Sequence, residues 1–384
     1  MIKFVHCADL HLDSPFITED AQKGAIRRKE LRATFSRMIE RSKSFGADIV
    51  FIAGDLFDRG VVTGDTLDLV FSDMASFSEC KFIITPGNHD FYTPDSVWER
   101  VALPENVFVF KSEELESITL EAVGKDKERV NIYGYAFTSQ NMEKSPIDGF
   151  KISEGDKNDI NILCAHADIF SRTTNYCPMT ADQIIGAGFD YAALGHVHGG
   201  GELFSRDNTT YGYSGSLEGQ SFHDCGERGA FFLTLEKSGG KAEVKYEFVP
   251  LANRVYICGE IDLSGSVNAE EILEKIRVFV EKQSCDERIM LRLILTGDIS
   301  PSADIPTERI KALFANVSAL EIKDETLPLF DCDALMNDLT VKGAFFRELL
   351  PKLSSEDERE RAVAIKALKY GLAALSGGEV IDFV

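Results

Sequence analysis

Five of the chain's seven histidines stand in short motifs beside carboxylates, an amide and glycines. In order these are Asp9-Leu10-His11, Gly54-Asp55, Gly87-Asn88-His89-Asp90, His166 and Gly195-His196-Val197-His198. Asp9, His11, Asp55, Asn88, His166, His196 and His198 together form a donor set for two adjacent divalent ions. Mixed oxygen and imidazole donors without thiolate suit Mn, Fe or Zn rather than Ca or an iron–sulfur cluster. Two such ions polarise a phosphoryl oxygen, lower the pKa of a bridging water and clamp an in-line displacement. His89 is left over for proton transfer, which imidazole performs well near neutral pH. The pattern points to hydrolysis of a phosphate ester. A lone Asp-x-His or Gly-His is more often a core or surface residue, but here every motif follows a strand-like segment in a fixed order.

The spacing carries local expectations. Asp9 and His11 lie two apart, so a strand that persisted through this turn would aim both the same way. Gly54 allows close backbone approach at Asp55, and Pro86-Gly87 makes a turn that presents Asn88. Asp90 is expected to orient His89 or a ligand without binding metal itself. His6 reads as a core residue, His223-Asp224 as a surface loop or else a substrate contact, Arg27-Arg28-Lys29 as a solvated helix face or else a contact to a phosphate backbone, and Gly297-Asp298 as a turn. No substrate-binding residue is identifiable.

The elements that must hold these groups are legible. Strands at 2–6, 48–53 and 81–85 alternate with helices at 22–45 and 65–77. Such a run indicates parallel strands covered on both faces, with ligands gathering beyond their carboxyl ends. From 107 onward strands dominate: 107–110, 117–122, 130–134, 159–165, 190–194, 209–214, 229–235 and 242–249. A second sheet packed on the first gives an α/β (α+β) sandwich flanked by helices. Residues 251–325 read as a small α+β cap. It has a strand at 255–261, a helix after Asn268 with Glu271 as a capping box, a strand at 289–295 and a helix near 306–315. Residues 326–384 read as helical. One helix covers 339–350 and stops near Pro351; another runs from Ser355 to Gly377-Gly378. Val341, Phe345 and Leu349 on one, and Val363, Leu368, Leu372 and Leu375 on the other, fall at helical spacing, to pack on the body or dock a partner. The expected divisions are 1–250, 251–325 and 326–384.

Composition narrows the context. The net charge of −22 repels nucleic acid at long range, so a DNA substrate requires positive charge supplied from elsewhere. The N-terminus lacks a basic segment followed by an apolar one, and no apolar run would cross a bilayer. The eight cysteines are scattered singly, as reduced thiols in the cytoplasm would be. Cys164 and Cys258 read as small core residues.

These motifs resemble the calcineurin-like metallophosphoesterase superfamily, whose hallmark is D-x-H, G-D, G-N-H-[DE], H and G-H-x-H, over about residues 1–250. The resemblance implies one ion on Asp9, His11, Asp55 and His198, a second on Asp55, Asn88, His166 and His196, and His89 as the acid. The stretches His6-Cys7-Ala8-Asp9-Leu10-His11-Leu12-Asp13-Ser14-Pro15, Ala53-Gly54-Asp55-Leu56-Phe57-Asp58 and Tyr213-Ser214-Gly215-Ser216-Leu217-Glu218 are similar to the SbcD-type DNA-repair exonuclease branch. That branch implies a manganese-dependent nuclease on DNA, partnered by an SMC-like coiled-coil ATPase. It also implies a cap over the DNA cleft, terminal helices that dock on the coiled coil, and a homodimer through the N-terminal helices. Some relatives carry a second catalytic histidine after G-D; this chain has Asp58 there, so that role does not transfer. The same chemistry on nucleotides or phosphoproteins is the alternative, which the acidity favours.

Overall fold

The computed structural model describes residues 1–16, 21–58, 62–282, 286–300, 303–329 and 331–375. The chain separates into two compact units, Met1–Val255 and Tyr256–Val384; residues of the expected cap and of the helical tail share the second.

In the first unit the strands are β1 (Ile2–Cys7), β2 (Ile49–Ile52), β3 (Lys81–Ile84), β4 (Val107–Val109), β5 (Glu116–Val123) and β6 (Glu128–Gly134). They continue as β7 (Ile160–His166), β8 (Tyr191–Gly195), β9 (Glu202–Arg206), β10 (Thr209–Tyr213), β11 (Gly229–Ser238) and β12 (Lys241–Pro250). The helices are α1 (Ala21–Phe45), α2 (Gly64–Ala75), α3 (Val97–Arg100) and α4 (Ala181–Ala187). Two six-stranded sheets result, ordered β12-β11-β1-β2-β3-β4 and β5-β6-β7-β8-β10-β9. β1 to β4 are mutually parallel, as are β6, β7, β8 and β10, while antiparallel strands close every edge except that of β4. The fold is thus the expected two-sheet α/β sandwich, with β9 an unforeseen edge strand.

Strand alternation explains the unbroken apolar runs. Phe4, Ile49, Phe51 and Ile83 enter one core with Val130, Ile132, Ile160, Ile162 and Tyr191 of the other sheet. Val5, Cys7, Val50 and Ile52 point the other way, into a core shared with Leu31, Phe35, Met38 and Ile39 of α1. Those four recur at helical spacing and form the buried stripe of an otherwise polar helix. Thr63 caps α2, and a Thr180–Gln183 capping box opens α4.

One detail of this unit, Arg27, differs from expectation, and another, His6, agrees with it. Arg27 is buried, its guanidinium donating to Glu30, Glu218 and the Gly219 carbonyl. The helix face it occupies packs on the Ser214–Gly219 loop, a partnership between residues 191 apart that no local pattern encodes. His6 is a satisfied core group: Nε2 donates to the Leu194 carbonyl (3.0 Å), so Nδ1 accepts from the Tyr191 hydroxyl (2.9 Å).

The second unit opens with β13 (Val255–Asp262), α5 (Ala269–Lys282), β14 (Ile289–Thr296), β15 (Asp298–Ile299), α6 (Thr307–Leu313), β16 (Ala319–Asp324) and β17 (Leu327–Pro328). β13, β14 and β16 form one sheet; β15 and β17 pair in parallel beyond it. Asn268 caps α5 through the Glu271 amide. Cys258, expected in the core, lies on the exposed face of β13. Helices α7 (Cys332–Asn337), α8 (Val341–Leu353) and α9 (Glu358–Leu375) follow. Pro351 sits inside the last turn of α8 rather than ending it two residues earlier. Leu335, Phe346, Leu368 and Leu372 pack together with Phe345 and Leu349 against them, while Val341, Val363 and Leu375 are exposed. Gly377-Gly378 lies outside the described residues. Among the described residues no helix is long and apolar enough to cross a membrane.

Candidate metal centre

Parallel register brings the motifs to one edge. Cys7, Ile52 and Ile84 are aligned neighbours at the carboxyl ends of β1, β2 and β3, so Asp9, Asp55 and Asn88 leave the sheet together. In the second sheet His166 is aligned with Gly195, which places His196 and His198 beside it.

The Asp9–His11 segment is not extended, as strand persistence would require. β1 ends at Cys7, and Asp9, His11 and Asp13 have φ of 53°, 45° and 64°; Asp55 has 51°. These left-handed residues cost energy that the surroundings must offset, and such strain gathers at functional sites. Backbone bonds from Asp9 to Gly54 and from His11 to Asp55 lace the two loops together. Gly54 is obligatory: at φ 95° a Cβ there would meet His166 Nδ1 at 2.0 Å.

Donor atoms converge on two places around Asp55. His11 Nε2 lies 3.0 Å from His198 Nε2 and 3.7 Å from Asp55 Oδ2. His166 Nε2 lies 2.9 Å from Asn88 Oδ1 and 3.4 Å from the same Asp55 oxygen. Asp9 clusters with His11 and His198 and again with Asp55 and His166. The Asp9 carboxylate also accepts the His196 amide at 3.0 and 3.1 Å. The His196 ring lies against those of His166 and Tyr176, with centroids 5.3 and 4.8 Å apart.

The protons show that these groups fit cations. His166 Nδ1 faces the Ala53 carbonyl at 3.0 Å, so it carries the hydrogen. Nε2 then turns a lone pair toward two further acceptors, the Asn88 and Asp55 oxygens. His198 Nδ1 faces Asp224 Oδ1 at 3.3 Å, and its Nε2 faces His11 Nε2 at 3.0 Å, where a cation would take the place of the shared proton. Lone pairs that face one another are repulsive unless a cation lies between them. Two donors each about 2.1 Å from one ion are roughly 3.0–3.4 Å apart, and the pairs here are 2.9–3.7 Å apart. The Asp224–His198 contact is the carboxylate–histidine support common behind metal ligands.

Electrostatics agree. Burial lowers His11 to about 4, and burial with the nearby His166 lowers His196 to about 4, so both are neutral donors at pH 7. Burial opposes the charge on His198, but Asp224 and Asp9 raise it to about 9; the Nε2 proton is the one a cation would displace. Burial pushes Asp9 up, incompletely offset by His166 and His198. For Asp55 the surrounding imidazoles and the His89 amide outweigh burial and hold the carboxyl below its ordinary value.

His89 stands at the rim, its ring 4.6 Å from that of His11. Its Nδ1 contacts Asp58 Oδ1 at 2.7 Å. Asp58 is therefore the residue that orients His89, one of the two roles expected of Asp90, the other being to orient a ligand. Asp90 instead accepts the backbone amides of Gly87 and Phe57 and fixes the loop presenting Asn88. Its burial beside Asp55 raises it to about 7. Asp58 and Asp224 are the supporting groups that sequence reasoning missed. Both were visible as acids near a motif, Asp58 three residues after Asp55 and Asp224 in the loop with His223. The His223 side chain itself is exposed.

Donor clusters at the strand ends, with His89 beside them, suit a metal-dependent hydrolase centre. Residues 2–200 match the calcineurin-like phosphoesterase family. The chain belongs to that family, a metallophosphoesterase membership that implies two divalent ions. Among curated proteins it is similar to the uncharacterized metallophosphoesterase YhaO of Bacillus subtilis, 25% identical over 303 residues, covering 77% of this chain and 72% of that one. It is also similar to the DNA double-strand break repair protein Mre11 of Methanopyrus kandleri, 25% identical over 296 residues, covering 72% of this chain and 62% of the relative. Solved structures with similarity include a dimetal phosphatase from Danio rerio, at 9% identity and TM-score 0.39, covering 63% of this chain and 98% of that one. A 5'-nucleotidase from Candida albicans is 13% identical with TM-score 0.34, covering 64% of this chain and 52% of that one.

Proposed function

We propose that this protein is a manganese-dependent DNA nuclease, an exonuclease acting in repair beside an SMC-like ATPase. The observation that carries the reading is Asp55 lying between two donor clusters, with His89 held by Asp58 at their rim. Support for DNA comes from the similarity to an Mre11 repair protein. Two divalent ions bound there would neutralise phosphate charge and acidify water. The chain's own residues do the rest. Asp9, His11, Asp55, Asn88, His166, His196 and His198 would hold the ions. Asp58 fixes His89 Nδ1 as a donor, so the proton handed to the departing oxygen is the one on Nε2.

With a charge of −22, the isolated chain should bind DNA weakly at physiological salt, and the ATPase would supply the missing positive surface. The test compares turnover of linear duplex DNA and of a small nucleotide ester with Mn²⁺ present, for wild type and for Asp55→Asn and His89→Ala. The reading expects DNA cleavage that both substitutions abolish. Turnover confined to the small ester would favour a nucleotide phosphodiesterase or phosphatase, the acidic surface being its support.

A further inference from the structure

Beside the metal centre lies a cavity of about 550 Å³, with His89 and Asp58 in its wall. We infer that it is the subsite for the nucleoside on the leaving-group side of the scissile phosphate, a deepening that rests on the nuclease reading. The departing oxygen must reach His89 to be protonated, so whatever that oxygen carries has to occupy the space onto which His89 opens. This cavity, which His89 helps to line, offers such a space, and its size is ordinary for a small-molecule site.

Its lining suits a base and sugar better than a further phosphate. Phe91, Val97 and Val101, backed by the buried Phe57, make apolar surface on which a flat ring can lie, and Thr93 and Ser96 offer hydroxyls at its edge. Three carboxyl groups, of Asp58, Asp90 and Asp95, line it beside one guanidinium, that of Arg100, so a second phosphate would meet more acidic than basic groups. A base is uncharged and has two apolar faces with a polar rim. A peptide leaving group would instead need its backbone amides paired along a strand edge or groove.

The chain carries a built-in probe. Its single tryptophan, Trp98, is buried, packs on the Phe57 ring at 5.4 Å and donates to the Asp90 carbonyl, so filling the cavity should perturb its emission. The experiment titrates deoxyadenosine into full-length wild type, Val101→Phe and Gln140→Phe, following Trp98 fluorescence. Gln140 is an exposed lining position, where a bulky replacement leaves the core intact. The companion assay measures kcat/KM for a dinucleoside monophosphate against the nucleoside methyl phosphate whose leaving group is methanol. Saturable binding in wild type, weakened about tenfold or more in both variants, supports the subsite. So does a fall of about tenfold in the dinucleotide-to-methyl-ester ratio. Wild type that cleaves DNA but gives no saturable response, or an unchanged substrate ratio in both variants, overturns the subsite and leaves the nuclease reading standing. Nucleoside binding without any DNA turnover sinks the nuclease reading and with it the leaving-group role of the cavity. Preferential turnover of a phosphoserine peptide over the dinucleotide overturns the subsite as well.

Discussion

Replacing Asp58 tests the acid at the centre of the mechanism. Its Oδ1 lies 2.7 Å from His89 Nδ1, with the two side chains 15% and 34% exposed. A hydrogen bond to a charged partner contributes about 1.5–3 kcal/mol, and this much exposure puts the pair near the lower end. Losing it should slow a step that needs the His89 proton by roughly 10- to 30-fold. The loss must depend on the leaving group, because nitrophenolate departs without a proton and a phenolate of higher pKa does not. The assay is kcat with Mn²⁺ for a series of aryl methyl phosphodiesters running from p-nitrophenol to phenol. Asp58→Ala should lose less than about threefold on the nitrophenyl ester and the full factor on the phenyl ester, steepening the dependence on leaving-group pKa. Asp58→Asn, which keeps an acceptor for Nδ1, should fall between. Metal content is measured alongside, since Asp58 also lies 4.0 Å from His11 Nδ1. Equal losses along the whole series, at unchanged metal content, would refute the role given to the Asp58–His89 pair.

Three other outcomes follow from the packing. Burial holds His6 down to about 4 from an ordinary 6.5, so the unfolded chain protonates first and stability present above pH 6.5 is lost as pH falls toward 4. Between pH 7.5 and 5, urea midpoints should therefore show wild type losing about 2 kcal/mol more than His6→Gln; equal losses would contradict the neutral, doubly bonded ring. Glu218 accepts from Arg27, from Thr34 Oγ1 (2.7 Å) and from the amides of Asn253 (2.7 Å) and Arg254 (2.9 Å). Glu218→Ala should cost about 3 kcal/mol in chemical denaturation, near the low end for a broken buried pair because Glu30 still meets Arg27; a cost below about 1 kcal/mol would show that the network is dispensable. Asp224→Asn should weaken Mn²⁺ binding about 10- to 100-fold by calorimetry, through the loosened His198 ring, and unchanged affinity would remove Asp224 from the site.

The metal-binding motifs were legible because each sits directly after a buried strand, and parallel register then carries all of them to one edge. Position alone could not tell how the backbone turns there: strand alternation suggested a common direction for Asp9 and His11, whereas left-handed residues achieve it. The supporting acids were harder to read. Asp58 binds a histidine 31 residues away and Asp224 one 26 residues back, pairings that spacing does not encode. Arg27 looked solvated because its partner Glu218 comes from the far end of the unit. Cys258 looked buried because its strand is apolar, yet its small sheet leaves that face open. Pro351 was read as a stop, but near a helix end its effect falls on the last turn.

The central claim is a two-ion centre organised around Asp55. The most direct measurement is titration of the metal-stripped full-length chain with Mn²⁺, for wild type and Asp55→Asn. The account predicts two equivalents bound by wild type and both weakened by the substitution, because the same Asp55 oxygen faces His11 and His166. A single equivalent in wild type, or two equivalents whose affinities survive Asp55→Asn, would contradict it.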